Sequence, residues 1–220
     1  MEHYNVAATQ ITGKKIKFFQ EHIIEWELEN GPSFPWRKTK NKWHALVAEI
    51  MLQRTKAEQV VPVFIEFTKK YQSPEDFMNH GEAGVFKTLG LAWREKLLRE
   101  LAEILVGNAI PEEKRDLMVL PSVGDYIASA MRSFHFNLRD SIIDSNVVRL
   151  YGRFIGFKTG PETRRKPFFK ELAEKMTPWE DFKTYNYGLI DLARQICKKK
   201  PVCDICPVSS QCVKNLTTSL

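Results

Sequence analysis

Along most of this chain the apolar residues return every three to four positions, the period of an α-helix, and two-residue alternation is scarce. Residues 13–29 place Ile16, Phe19, Ile23, Ile24 and Trp26 largely on one face, which predicts an amphipathic helix. Over 43–54 the pattern changes. Ala45, Val47, Ala48, Ile50, Met51 and Leu52 leave almost no polar side, which predicts a helix buried all round. Thr55-Lys56-Ala57-Glu58 reads as a capping box opening a further helix, kinked at Pro62. Ser73-Pro74 reads as an N-cap followed by proline at the first helical position. Further helices are predicted over Gly81–Leu89, Trp93–Val106, Pro111–Val119, Asp125–Phe134 and Asn146–Phe154, then over 162–176 and 179–195. The fold class is all-α.

Composition narrows the field only a little. A chain of 220 residues suits one large domain or two small ones, and ordinary apolar and charged fractions exclude a disordered or collagen-like chain. No apolar run reaches the roughly 18 residues a membrane helix needs. The opening MEHYNVAATQ lacks the basic and apolar regions of a signal peptide, so the expectation is a soluble cytoplasmic protein, nucleoid-associated in a prokaryote, with no membrane partner. Lys and Arg outnumber Asp and Glu 33 to 27, a net charge of +6. That excess is compatible with a polyanionic partner and does not by itself establish one.

The four cysteines change the picture. Cys197, Cys203, Cys206 and Cys212 form a C-x5-C-x2-C-x5-C run. Structural zinc usually takes two C-x2-C knuckles around a longer loop, whereas here one C-x2-C is flanked by two lone cysteines. That spacing fits a compact loop around an iron–sulfur cube, with zinc and four unrelated core residues as the competing readings. Lys198, Lys199 and Lys200 lie inside the same loop, as a solvated face or as phosphate contacts.

Three further features carry possible chemistry. Glu49 falls in the apolar middle of the 43–54 helix, where a carboxylate is costly unless it lies on an exposed edge, is ion-paired or is put to use. Leu120-Pro121-Ser122-Val123-Gly124 joins two helices by a tight turn; it reads either as an ordinary helix–helix connection or as a hairpin offering backbone N–H groups to a phosphate. In Ile142-Ile143-Asp144-Ser145-Asn146-Val147-Val148-Arg149, Asp144 alone reads as an N-cap.

Taken in order, LPSVGDY, IIDSNVVR and the four-cysteine run resemble the helix–hairpin–helix DNA glycosylase superfamily, the endonuclease III and MutY group. Phe34-Pro35-Trp36-Arg37, Glu49 to Thr55, and Asn186 to Asp191 are similar to motifs of the MutY branch, and the resemblance runs from about residue 13 to 212. It implies two helical domains: a bundle over 30–135 carrying the hairpin, and a second domain from 1–29 plus 136–220 carrying a [4Fe-4S] cluster on Cys197, Cys203, Cys206 and Cys212. The implied partner is double-stranded DNA with a mismatched or damaged base, bound by a monomer. Gln53, Arg54, Leu120, Ser122, Val123, Gly124, Lys198, Lys199 and Lys200 are the implied DNA contacts.

The resemblance also assigns catalytic roles. Asp144 would stabilise the oxocarbenium-like transition state of base release, Glu49 would give the departing base its proton, and Asn146 would orient the carboxylate. Bifunctional relatives carry Lys where this chain has Tyr126; a phenol forms no Schiff base, so the expected enzyme leaves an abasic site. Arg54 and Tyr126 look closest to Mig-type thymine and uracil mismatch glycosylases. Ala57 and Tyr187 are the implied base-pocket positions, and Tyr187 matches neither branch. A MutY-like adenine glycosylase without its C-terminal recognition domain, and a non-catalytic DNA-binding scaffold, are the alternatives. Two departures stand out: Ser122 replaces a glycine of the usual turn, with strain of order 1 kcal/mol if the backbone there is left-handed, and the first cysteine interval is one residue short.

Overall fold

The computed structural model describes residues 11–81, Gly84 and 93–218, and among them every regular element is helical. In chain order these are α1 (Gly13–Asn30), α2 (Lys42–Met51), α3 (Ala57–Lys70), α4 (Pro74–His80), α5 (Trp93–Leu105), α6 (Lys114–Leu117), α7 (Asp125–Ala130), α8 (Ser145–Ile155), α9 (Pro167–Met176), α10 (Phe182–Gln195) and α11 (Val213–Thr218). A π-helical turn, Met131–His135, follows α7 directly. No described helix is long and apolar enough to cross a membrane. The helix expected over 81–89 falls largely outside the described residues.

The chain divides into two compact units, Pro32–Leu138 and Met1–Gly31 with Arg139–Leu220. We call them the hairpin unit and the cysteine unit. In the hairpin unit α2 is apolar all round and buried all round: every residue from Trp43 to Met51 is in the interior. Its N-terminus is capped by the Asn41 side chain, which accepts from the His44 N–H. Trp36, Phe64, Phe67, Tyr71 and Phe77 fill the core around it.

In the cysteine unit, α1 buries Ile16, Phe19 and Ile23. Phe19 meets Phe154 at a centroid distance of 4.5 Å and Tyr151 edge-on at 5.7 Å. α1 and α10 approach closely at Gly188, where a Cβ would lie 2.7 Å from Ile23 Cγ2. Only a residue without a side chain allows that backbone approach.

Several boundaries differ from the sequence pattern, each for a local reason. The capping box at Thr55 does not form: Lys56 holds the cap position without a side-chain bond, and Thr55 Oγ1 donates to the Gln53 carbonyl instead. The helix expected over 111–119 is the short α6, because Met118 and Val119 are exposed and give no burial to sustain another turn. The 125–134 helix changes from α to π at Met131. The 162–176 segment is broken before Pro167, whose ring holds Lys166 in the extended region. α10 starts at Phe182 behind Asp181, which takes a left-handed backbone with φ 53°. On α1, Ile24 and Trp26 are only half-buried and Glu27 is buried in their place.

Candidate active site

The hairpin unit carries Glu49, Gln53, Arg54, Ala57, Leu120, Ser122, Val123, Gly124 and Tyr126, and the cysteine unit carries Asp144, Asn146, Tyr187, Lys198–Lys200 and the cysteines. α6 and α7 form a helix–turn–helix around Leu120 to Gly124. Leu120 and Val123 turn their side chains into the core, and their N–H groups bond the Leu117 and Leu120 carbonyls. Both residues thereby shape the turn. Ser122 sits at φ 65°, the left-handed backbone that the glycine of related turns supplies without strain. Gln53 Nε2 donates to the Ser122 carbonyl at 3.1 Å, so the turn after α2 braces the hairpin. Arg54 beside it is exposed and also left-handed, at φ 62°. Lys114 closes the base of the hairpin, with its ammonium 3.0 Å from the Asp125 carboxylate and donating to Ser129 Oγ at 2.7 Å.

Glu49 is 4% exposed. Its Oε1 lies 3.3 Å from His135 Nε2, and both side chains are buried. Of the situations open to a mid-helix carboxylate, the structure realises the buried, partnered one. Tyr126, at the start of α7, and Ala57, at the start of α3, are half-buried against the core of the same unit.

In the cysteine unit Asp144 caps α8. Its Oδ1 accepts from the Asn146 and Val147 N–H groups at 2.8 and 2.7 Å. The other oxygen, Oδ2, accepts from Asn146 Nδ2 at 2.7 Å. The cap and an orienting Asn146 are both realised in one carboxylate. The chain of bonds continues: Arg149 Nη1 donates to Asn146 Oδ1, and its Nε and Nη2 donate to the carbonyls of Cys197 and Ala193, all at 2.9 Å. Burial pulls the Arg149 guanidinium below its usual range, against the opposing pull of the Cys197 thiol and Asp144. Sequence reasoning gave Arg149 no role. Its spacing of one helical turn from Asn146 was the available signal.

Arg153 extends the network to the cysteine loop. It donates to Cys197 Sγ at 3.4 Å and to the Lys198 and Lys199 carbonyls at 2.7 and 3.0 Å. The backbone of the lysine run is thus pinned while Lys198, Lys199 and Lys200 stay exposed. Cys197, Cys203, Cys206 and Cys212 line one pocket together with Arg153, Phe154 and Val208. Burial, reinforced by the neighbouring thiols, pushes the Cys206 thiol up to about 11 and raises Cys212 as well. Among the described residues no three His, Cys, Asp or Glu side chains converge on a point able to hold a single metal ion. Tyr187 is half-buried on α10, beside Asn186, whose amide donates to the Asp140 carbonyl at 2.8 Å.

Residues 47–178 match the family described as HhH-GPD superfamily base excision DNA repair protein. A thymine-DNA glycosylase of Aeropyrum pernix is 35% identical over 211 residues, covering 90% of this chain and 95% of that one. A thymine/uracil-DNA glycosylase of Methanothermobacter thermautotrophicus is 31% identical and covers 91% of this chain and 95% of its own length. Among solved structures, that of a thermostable thymine-DNA glycosylase superposes with a TM-score of 0.87 at 30% identity, covering 93% of this chain and 98% of the other.

Proposed function

The chain belongs to the HhH-GPD superfamily of base excision DNA repair proteins, and on that premise we propose that it is a monofunctional DNA glycosylase removing thymine or uracil opposite guanine. The observation that carries the chemistry is Asp144, a carboxylate immobilised by three N–H donors at the head of α8. As the C1′–N bond breaks, its electron pair leaves on the base and positive charge builds on the sugar ring. A fixed carboxylate stabilises that cation without having to reorganise. Glu49 gives the departing base a proton, a transfer of the kind worth about two to four orders of magnitude in rate. Water then adds to C1′ and loses a proton, leaving free base and an abasic site.

Tyr126 replaces the amine that a strand-nicking relative would need, so the phosphodiester backbone stays intact. The choice of thymine or uracil is supported by the two relatives that this chain spans almost end to end. A mispaired base leaves the stack at the smallest cost, which favours a mismatch as substrate. Double-stranded DNA is gripped without sequence preference by the hairpin backbone and by Lys198–Lys200.

The donor set in the cysteine loop fits a [4Fe-4S] cluster. What supports it is that four thiols from one short stretch line a common pocket, with the spacing of four separate thiolate ligands. Such a cluster, bound by Cys197, Cys203, Cys206 and Cys212, would order the loop that presents the lysines. Purified protein should then be brown, with iron and acid-labile sulfide in equal amounts; colourless, zinc-loaded protein of full activity refutes the cluster.

One assay tests the function. Duplexes carrying T·G, U·G, A·G and A·8-oxoguanine pairs are incubated with the protein and then treated with alkali. Cleavage of T·G and U·G strands only after alkali is the expected result. Release of adenine instead identifies a MutY-like enzyme, and DNA binding with no release identifies a scaffold.

A further inference from the structure

Among the described residues, Glu49 meets the His135 ring in the interior. We propose that His135 is a positioning residue for base release, its ring holding the Glu49 carboxyl in one orientation. The proposal rests on the reading of Glu49 as the acid.

Three observations carry it. The Glu49 carboxyl and the His135 ring are both buried and 3.3 Å apart, in a helix otherwise apolar on all sides. A carboxyl that deep needs a hydrogen-bond partner to have a defined orientation. Next, His135 reaches this place because the chain after α7 winds as a π turn: the Phe136 N–H bonds the Met131 carbonyl and the Leu138 N–H bonds the Arg132 carbonyl. Such wide turns interrupt α-helices often at functional sites, since they re-aim the side chains that follow. Finally, Lys42, on the same helix as Glu49, donates its ammonium to the His135 carbonyl. The histidine is thus clasped to α2 through its backbone as well as through its ring.

Three other charged or titratable groups on neighbouring elements have partners of their own. Arg132 of the π turn donates to the Glu112 carbonyl and faces the Glu113 carboxylate at 4.0 Å. Lys114 of α6 is held by Asp125 and Ser129. His44, further along α2, bonds the Tyr71 carbonyl, and burial lowers its pKa.

With a neutral ring carrying its proton on Nε2, that N–H donates to Glu49 Oε1 and leaves Oε2 to hold the transferable proton. When the proton departs with the base, the carboxylate left behind keeps the same N–H donor, and a proton taken up from water by either group restores the pair.

Single-turnover base release from a U·G duplex, measured against pH, tests this with His135→Gln, His135→Leu and Glu49→Gln. The His135→Gln variant keeps an N–H donor for the carboxyl, so its plateau rate should stay within about threefold of wild type. With His135→Leu the plateau rate should fall by about tenfold, while DNA affinity stays within twofold of wild type. A His135→Leu plateau unchanged from wild type, or a His135→Gln variant as slow as His135→Leu, overturns the inference, while a strongly slowed Glu49→Gln leaves the acid reading standing. Glu49→Gln with activity within a few-fold of wild type removes the acid reading and the inference with it.

Discussion

The two units hold their chemistry in place by different means. At the hairpin turn the backbone does most of it: Ser122 and, after α2, Arg54 are set in left-handed conformations, and a side-chain bond from Gln53 to the Ser122 carbonyl braces the turn. In the cysteine unit side chains do it. Asp144, Asn146 and Arg149 form a hydrogen-bonded series that ends on the Cys197 carbonyl, and Arg153 ties the same loop at three further points. A backbone-built surface offers N–H groups of fixed direction, suited to a phosphate that must be gripped regardless of sequence. A side-chain series fixes the direction of one carboxylate, suited to a charge that must meet a cation in one place. The contrast predicts that damage at the hairpin turn appears mainly in binding, and damage along the Asp144 series mainly in rate.

The largest effect should come from Asp144→Asn. Asparagine still caps a helix, so folding and DNA binding should persist while single-turnover base release falls by about a hundredfold or more. Activity within a few-fold of wild type would return Asp144 to the role of a cap alone. Tyr126→Lys tests the other unit by gain rather than loss. An amine at that half-buried position has its pKa drawn down by desolvation, as Schiff-base formation requires. Borohydride should trap the variant on DNA and leave the wild type free; equal trapping of both would show that another amine acts.

Smaller effects sharpen the contrast. Arg149→Lys keeps the charge and loses the planar fork, so Asn146 and Asp144 lose their fixed orientation. The rate should drop by between about tenfold and a hundredfold with little change in affinity. Gln53→Ala should do the reverse, weakening DNA binding by about 1 kcal/mol, one hydrogen bond's worth, with the rate at saturation unchanged. If Gln53→Ala slowed chemistry as much as Arg149→Lys, the division between the units would fail. The smallest change is Ser122→Gly, which relieves left-handed strain and should raise stability by about 1 kcal/mol, read as a rise of a few degrees in Tm.

The fold class was legible because helical periodicity needs no tertiary information, and α2 was legible as a buried helix because nothing polar but Glu49 interrupts its middle. The N-cap at Ser73 and the strained site at Ser122 were also readable, since both follow from local backbone chemistry. Boundaries were less so. The failed capping box at Thr55 and the short α6 depend on whether neighbouring surfaces bury the residues that would extend the helix, and periodicity does not carry that.

The site divides along the same line. The sequence alone offered the four clustered thiols, a matter of residue type at a spacing, and through its resemblance to a family it offered the candidate carboxylates and the tyrosine in place of an amine. Tertiary structure decided which groups those side chains meet. His135 reaches Glu49 across 86 positions of sequence and Arg149 reaches the Cys197 carbonyl across 48, and no local pattern encodes either. A π turn and a loop anchored by Arg153 bring them together, and such long-range pairings arise only once the core has packed and buried polar groups must find partners.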